Sequence, residues 1–366
     1  MLDAEPCPPA EGATLPHREE TYMPRQRARA ATVLSGALLL LVTGCASDND
    51  TDKVKTIEPA TAAASPAVSN PPAGGVVTLG GPVSATVFDD DTDTVVMLTP
   101  DARGLLLLPG SVSGMPPGAL SDVPLRTVTL PGGVAALSAP RDGVVAVPAG
   151  RAVVRVDLAT GDTTSTAVDG DVQAVALLAD GRMAVGTAAG EVLEIEADGT
   201  SSDTVSGLVS VDALGEHDGR VTALDRRQSS VTEINFDDDR LGLALRAGDG
   251  ATNLVADRFG RVIITDTNDG ELLSHTTDPL MLHQRYPVPN SPYGVAVDEK
   301  TGMVWVTVTG TNEVVGYDLS TGIPVEKHRY PTVRQPNSVA VDSESGTVFI
   351  ASATGDGLQR IDVTGH

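Results

Sequence analysis

Apolar positions along this chain fall in short runs separated by polar turns rich in Gly and Asp. The clearest runs are YGVAVDEKTGMVWVTVTGTNEVVGYDL over 293–319 and NSVAVDSESGTVFIASATGDGLQRIDV over 337–363. Each reads as an apolar strand ending in Asp, a tight turn with Gly, a second apolar strand, a polar turn, and a third strand ending near Asp. Such alternating or β-branched runs bounded by turn residues predict strands. Val304, Trp305 and Val306, Val348, Phe349 and Ile350, and Val262, Ile263 and Ile264 are continuous apolar triplets, so these strands need cover on both faces. One four-stranded sheet cannot supply that cover. A ring of sheets stacked face to face can, and closing the ring leaves no exposed end sheet.

The pattern recurs along the chain. NLVADRFGRVIITDTNDGELLSHT (253–276) is a third copy, and fainter copies begin near Val134, Val172 and Val209. The turn glycines Gly143, Gly181, Gly219, Gly260, Gly302 and Gly346 are spaced by 38, 38, 41, 42 and 44 residues, a period that fits four short strands per unit. A divergent first copy, ATVFDDDTDTVVMLTPDARGLLLL (85–108), brings the number of units to seven, with SVSGMPPGALSDVP inserted before its last strand. The last copy stops after three strands at Ile361 to Val363, and Val76 to Leu79 are expected to supply its missing outer strand. The predicted fold is all-β: a seven-bladed β-propeller of four-stranded antiparallel blades over residues 75–366, closed by its N-terminal strand.

The residues before the repeat have a different character. RQRARAATVLSGALLLLVTGC (25–45) combines a basic run at Arg25, Arg27 and Arg29 with an apolar run centred on Leu38 to Val42 and a small-residue turn, the three parts of a secretory signal. Its apolar stretch is shorter than the roughly 20 residues a membrane span needs. Its end, Val42, Thr43, Gly44, Cys45, resembles a lipobox, which implies cleavage before Cys45 and a diacylglyceryl group on its thiol. Residues 1–44 are therefore expected to be a cleaved signal region, with Met23 as the true start because the acidic, proline-rich stretch before it does not suit a signal. Cys7 leaves with that region and Cys45 is acylated, so the mature domain is expected to contain neither disulfide nor free thiol. Residues 45–74, rich in Pro, Ala, Ser and Thr, are expected to form a lipidated cysteine and a disordered tether. The expected location is outside the cell membrane, lipid-anchored and facing outward.

Composition and charge narrow the partners. Aromatics make up only 3% of the chain and the formal charge is −24. Removing residues 1–44, with five acids and four bases, leaves 44 acids against 21 bases. That excess argues against nucleic acid and against docking on anionic lipid by charge alone. The expected partners are the membrane, through lipid on Cys45, and an envelope protein or small polar ligand, with the chain itself a monomer.

VWVTVTGTNEVVGYDLSTG (304–322) resembles the YVTN repeat, and DTNDGEL (266–272) is similar to the second half of an NHL repeat. The likeness is densest over 291–363, thinner over 133–290 and thinnest before that. It departs at Val308, where YVTN repeats carry Asn. The resemblance implies a YVTN/NHL-type propeller carried on a bacterial, actinobacterial-like lipoprotein. Propellers of this kind serve as enzymes, sensors and binding platforms, so the resemblance speaks for fold more than activity.

Residue types that recur at one place in several blades are read as structural. Asp180, Asp257, Asp298 and Asp342 end the first strand of their blades and are expected to accept backbone N–H groups in the following turn. Asn268 and Asn312, in the second turn, are expected to adopt left-handed backbone. Loops entering the first strand, and those joining the second and third, are expected on one face around the channel mouth. Candidate ligand-binding residues there are Asn253, Tyr293 and Asn337, with Asn290, Arg334 and Gln335 further out. His217, His275, His283 and His328 share no spacing, and no HxH, HExxH or paired-cysteine motif occurs, so no catalytic residue, metal ligand or cofactor is assigned. His275 is expected to pack between blades. EKHRYPTVR (326–334), with His283, Arg285 and Tyr286, concentrates base on an acidic protein and is a candidate partner patch. The leading expectation is a binding or scaffolding module; the alternative is a metal-dependent lactonase- or lyase-like enzyme acting on a small polar substrate at the channel mouth.

Overall fold

The computed structural model describes residues 55–363, apart from 100, 102, 115–124, 132 and 135. The signal region, Met23 as start, the lipid site Cys45 and most of the insertion before the fourth strand of the first blade lie outside the described residues.

Seven antiparallel sheets form the ring. Blade 1 holds β2 (Ala85–Asp89), β3 (Thr94–Leu98), β4 (Gly104–Pro109) and β5 (Arg126–Thr129). Blade 2 holds β6 (Val144–Pro148), β7 (Ala152–Asp157) and β8 (Thr163–Ala167). Its inner strand is reduced to a bridge between Val134 and Ala149 and a backbone bond from Ser138 to Ala146. Blade 3 runs from β9 (Val172–Leu177) through β10 (Met183–Thr187) and β11 (Glu191–Ile195) to β12 (Ser201–Ser206). Blade 4 comprises β13 (Ala213–His217), β14 (Arg220–Asp225), β15 (Ser230–Asn235) and β16 (Arg240–Arg246). Blade 5 comprises β17 (Ala251–Ala256), β18 (Arg261–Asp266), β19 (Glu271–Thr277) and β20 (Leu280–Pro287), and blade 6 β21 (Pro292–Val297), β22 (Met303–Val308), β23 (Glu313–Asp318) and β24 (Val325–Pro331). Blade 7 has β25 (Pro336–Asp342), β26 (Thr347–Ser352) and β27 (Leu358–Asp362), and its outer strand is β1 (Gly75–Val77), which pairs Val76 with Gln359. The N-terminal strand therefore closes the ring as expected, but it begins one residue before and ends two residues before the Val76–Leu79 run. Leu79 leaves the ladder and packs between blades 7 and 1 instead.

The triplets explain themselves in this ring. Val304 and Val306 face blade 5, in a cluster with Ile263 and Leu272, whereas Trp305 between them faces blade 7 and packs with Val339 and Ile350. Seven such apolar clusters occur, one in each junction between neighbouring blades, the junction of blades 7 and 1 included. Each fully buried Val, Leu or Ile contributes about 1.5–3 kcal/mol, so the ring is held mainly by this stacking.

The turn residues follow their expected roles with one exception. Asp180 accepts from the Arg182 N–H, Asp257 from Phe259 and Arg261, Asp298 from Lys300 and Thr301, and Asp342 from Glu344 and Ser345. Asn312 is left-handed with φ 54°, but Asn268 is not; Gly270, two residues on, takes that conformation at φ 68°. Among the described residues, no helix is long and apolar enough to cross a membrane.

The segment expected to be a free tether differs from expectation where it is described. Residues 57–66 lie against the face on which the inner strands begin. The Ile57 N–H donates to the Arg227 carbonyl of blade 4, and Ala63 and Ser65 bond to Ser291 and Gln335, at the entrances to blades 6 and 7. A segment too poor in large apolar residues to build a core is thus held by polar contacts, which composition alone does not reveal. Residues 67–71 are exposed, and the Ala73 N–H then joins the end of β24 through the Pro331 carbonyl.

Candidate functional site: the channel and its two mouths

The inner strands enclose a central cavity of about 360 Å³. Its wall is apolar along the middle of the strands: Ala174 and Ala176, Leu214, Leu254 and Ala256, Val295 and Val297, Val339 and Val341. The polar groups gather at the two ends, and the ends differ.

At the entry mouth stand the three candidates chosen from sequence. Each lies at or beside a break in the ladder between first and second strands: one bulge falls between Ala251 and Asn253, one between Pro292 and Val295, one between Pro336 and Ser338. Bulges re-aim backbone and side chains, and here they turn the Asn253 amide toward the next blade and the Asn337 amide toward the loop entering its own. Asn253 Nδ2 donates to the Tyr293 carbonyl at 3.0 Å, and Thr265 Oγ1 donates to the same carbonyl at 2.7 Å. Asn337 Oδ1 accepts from Gln335 Nε2 at 2.9 Å. The two amides therefore engage protein groups, and none of the three candidates belongs to the cavity lining. Gln335 and Ser291 face the bound segment 57–66. Asn290 is left-handed, at φ 72°, and the Arg334 carbonyl accepts from Ser352 Oγ.

The exit mouth carries charge that the sequence reading did not single out. Asp90, Arg141, Glu216, Glu299 and Ser343 all line the cavity there. Arg141 of blade 2 is paired with Glu216 of blade 4, skipping blade 3 and so bridging part of the opening. From blade 5 round to blade 1, the residue one past the turn aspartate links one blade to the next on this side. The Arg258 N–H donates to Glu299 Oε2 at 3.1 Å, the Glu299 N–H donates to Ser343 Oγ at 2.9 Å, and the Ser343 backbone meets Asp90. Counting one residue beyond Asp89, Asp257, Asp298 and Asp342 in the repeat would have found these positions.

This crowding shifts protonation. Asp90 is pushed up to about 6, first by removal from water and then by the neighbouring Asp342, with Asp89 and Glu344 adding and the Ser343 backbone opposing. Glu299 is also raised, chiefly by burial and then by Asp257, against the Arg258 N–H and the Arg258 and Arg261 guanidinium groups. Carboxylates with raised pKa beside a cavity are candidates for proton transfer or cation binding, and structural ion networks produce the same effect.

The remaining chemistry-bearing residues are engaged elsewhere. His275 is fully buried in β19 between blades, and burial pushes its imidazole down to about 4. His328 stacks on Trp305, ring centroids 5.5 Å apart, under Tyr330. Among the described residues, no histidine lines the channel. In the candidate partner patch, Arg285 pairs with Glu271, Arg329 with Glu326 and Glu313, and Lys327 with Asp318, while Tyr286 packs edge-on against Tyr317. The basic run is thus balanced locally by acids. Asp266, Asp269 and Glu271 bring three carboxylates together, but Asp266 is spent on the Asp249, Asn268 and Asp269 N–H groups and Glu271 on Arg285.

Ring, closure and channel together define a seven-bladed β-propeller. No protein-family model matches the sequence, and no curated protein matches it. Among solved structures, it is similar to the Kuenenia stuttgartiensis hydrazine synthase, with a TM-score of 0.64 at 13% identity over 78% of this chain and 97% of that one. It is also similar to virginiamycin B lyase from Staphylococcus aureus, with a TM-score of 0.61 at 14% identity over 76% of this chain and 94% of that one. A chain of the mitotic checkpoint complex gives 0.67 at 10% identity over 84% of this chain and 97% of that one. At these identities the likeness is one of fold. A histidine-to-alanine variant of the lyase, solved with quinupristin, is catalytically inactive.

Proposed function

We propose that this protein is an extracytoplasmic binding or scaffolding propeller, held on a membrane by lipid on Cys45. The observation that carries the binding reading is how its polar groups are used. The turn carboxylates hold turns, the entry amides Asn253 and Asn337 engage neighbouring groups, and the cavity wall between the mouths is apolar. Such a cavity offers shape and surface to a ligand or protein rather than a set of reacting groups. The lipid anchor rests on the run Val42 to Cys45.

A second reading, a metal-dependent lactonase- or lyase-like enzyme, draws its support from the exit mouth, where Asp90 and Glu299 are both raised in pKa beside the cavity. A melting series with EDTA, calcium, magnesium, manganese and zinc separates the two. A cation at 100 times its dissociation constant adds roughly 2.7 kcal/mol to stability. The binding reading expects no metal-specific rise; a rise lost in Asp90→Asn or Glu299→Gln would put the enzyme reading first. Labelled palmitate should enter the wild-type protein in cells and not Cys45→Ala, and equal labelling of both would end the anchor assignment.

A further inference from the structure

The segment 57–66 is held in an unusual way. Seven hydrogen bonds join it to the propeller, and six of them use its main chain. The Ile57 N–H donates to the Arg227 carbonyl at 2.8 Å, and the Arg226 guanidinium donates to the Ala60 carbonyl. The Ala63 N–H donates to Ser291 Oγ at 3.0 Å, while the Ala63 carbonyl accepts from Gln335 Nε2 at 3.0 Å. The Ser65 N–H donates to Gln335 Oε1 at 2.9 Å, and the Pro66 carbonyl accepts from Asn312 Nδ2 at 3.0 Å. The seventh runs from Ser65 Oγ to the Thr309 carbonyl at 2.6 Å. Gln335 thus uses both ends of its amide on Ala63 and Ser65, as a neighbouring strand would use its backbone. Only Ala60 and Ser65 bury their side chains, at 6% and 5% exposure.

The propeller side is built for these contacts. Nine described residues other than glycine have left-handed backbone, and six of them are Asp or Asn, which tolerate it. The other three are Ser229, Ser291 and Gln335. Ser291 and Gln335 touch the segment directly, and Ser229 lies in the turn that carries Arg226 and Arg227. Backbone that most side chains avoid is kept where the surrounding structure enforces it, and such places cluster at binding sites. The exposed run 67–71 separates this grip from β1, so residues 57–66 can leave the face without opening the ring.

We propose that the entry face is a binding site for extended polypeptide with small side chains, and that residues 57–66 are its resident occupant, displaceable by such a segment from a partner. The proposal rests on the binding reading above and gives it a ligand class. Recognition through main-chain atoms is largely independent of sequence; selectivity comes from room for a small residue at the Ala60 position and a hydroxyl five residues later. A tethered occupant acts at an effective concentration on the order of millimolar, so a partner segment must be tighter or must arrive when the tether is pulled away.

The test uses the full-length protein and a labelled peptide, IEPATAAASPAV, copied from residues 57–68. Ala63→Pro with Ser65→Pro removes two N–H donors from the resident segment and leaves every propeller residue intact. Hydrogen exchange should find the amides of Ile57, Ala63 and Ser65 protected in the wild type, and that of Ile57 unprotected in the double variant. By fluorescence anisotropy the double variant should bind the peptide at least about tenfold more tightly than the wild type, and adding Gln335→Ala should abolish the gain. Unprotected amides in the wild type, an Ile57 amide still protected in the double variant, or a deprotected variant that gains no peptide affinity would each overturn the proposal. None of these results bears on the metal series, so the binding reading stands or falls separately.

Discussion

The two mouths of the channel use polar residues in opposite ways. At the exit, charged groups are tied into the ring: turn carboxylates accept the N–H groups of their own turns, and from blade 5 to blade 7 the residue after the carboxylate reaches the next blade, as Arg258 reaches Glu299 and Glu299 reaches Ser343. At the entry, the amides and hydroxyl of Ser291, Asn312 and Gln335, with the Arg226 guanidinium, reach out of the ring to a segment that belongs to no blade. The exit mouth therefore belongs to the stability of the fold, and the entry mouth to what the fold can hold. Substitutions of the exit carboxylates should change global stability, whereas substitutions of the entry side chains that grip the segment should change chiefly what is bound there.

The largest effect should come from Asp257→Ala. The Asp257 carboxylate is fully buried, accepts from the Phe259 and Arg261 N–H groups, and pairs with the Arg261 guanidinium, itself only 19% exposed. Removing it leaves a half-buried cation and two turn donors without their partner. A loss of about 2–3 kcal/mol follows, which thermal unfolding should register as a fall in Tm of roughly 3–5 °C. A change under a degree would mean that exit-face carboxylates are not what holds these turns.

A smaller effect of opposite sign is expected at Asp90. Its folded-state pKa, about 6, lies above the ordinary 3.8. The charged form is therefore disfavoured by folding, and this group's contribution to stability rises as pH falls from above 6 toward 4. Asp90→Asn should raise Tm by a degree or two at pH 7.5, and that advantage should vanish by about pH 4. The difference between variant and wild type isolates Asp90 from carboxylates shifted the other way, such as Asp180, whose bond with Arg182 holds it low. A variant less stable than the wild type at pH 7.5 would show that the Asp90 charge is used rather than merely tolerated.

How much of this was legible beforehand follows the same division. The repeat was readable because the apolar triplets and turn glycines recur at a regular spacing, and the closing strand because the last copy ends one strand short. Both depend on period, which sequence displays directly. The exit mouth was half legible: the turn aspartates recur and were assigned correctly, but Asp90, Arg258, Glu299 and Ser343 differ in type from blade to blade, so only their place one residue past those aspartates marks the shared position. The entry mouth was the least legible. Asn253, Tyr293 and Asn337 are near the strand starts, as expected, but bulges turn the amides into contacts within the protein. Gln335, placed further out, carries more of the contact with residues 57–66 because its backbone is left-handed, a conformation that glutamine gives no reason to expect. The segment itself has no period, since it is held by its main chain.

The smallest effect on global stability, and the sharpest contrast with Asp257→Ala, should come from Gln335→Gly. Glycine accepts φ 53° without the steric cost that an L side chain meets there, about 1 kcal/mol. It also frees the unfolded chain by a similar amount. These two terms oppose one another, and the bonds lost to Ala63, Ser65 and Asn337 lie at a partly exposed surface. Tm should therefore stay within about 2 °C of the wild type, while the amides of Ala63 and Ser65 lose their protection from exchange. The reverse pattern, a large fall in Tm with the segment still protected, would mean that Gln335 supports the ring and that the two mouths do not divide the work as their contacts suggest.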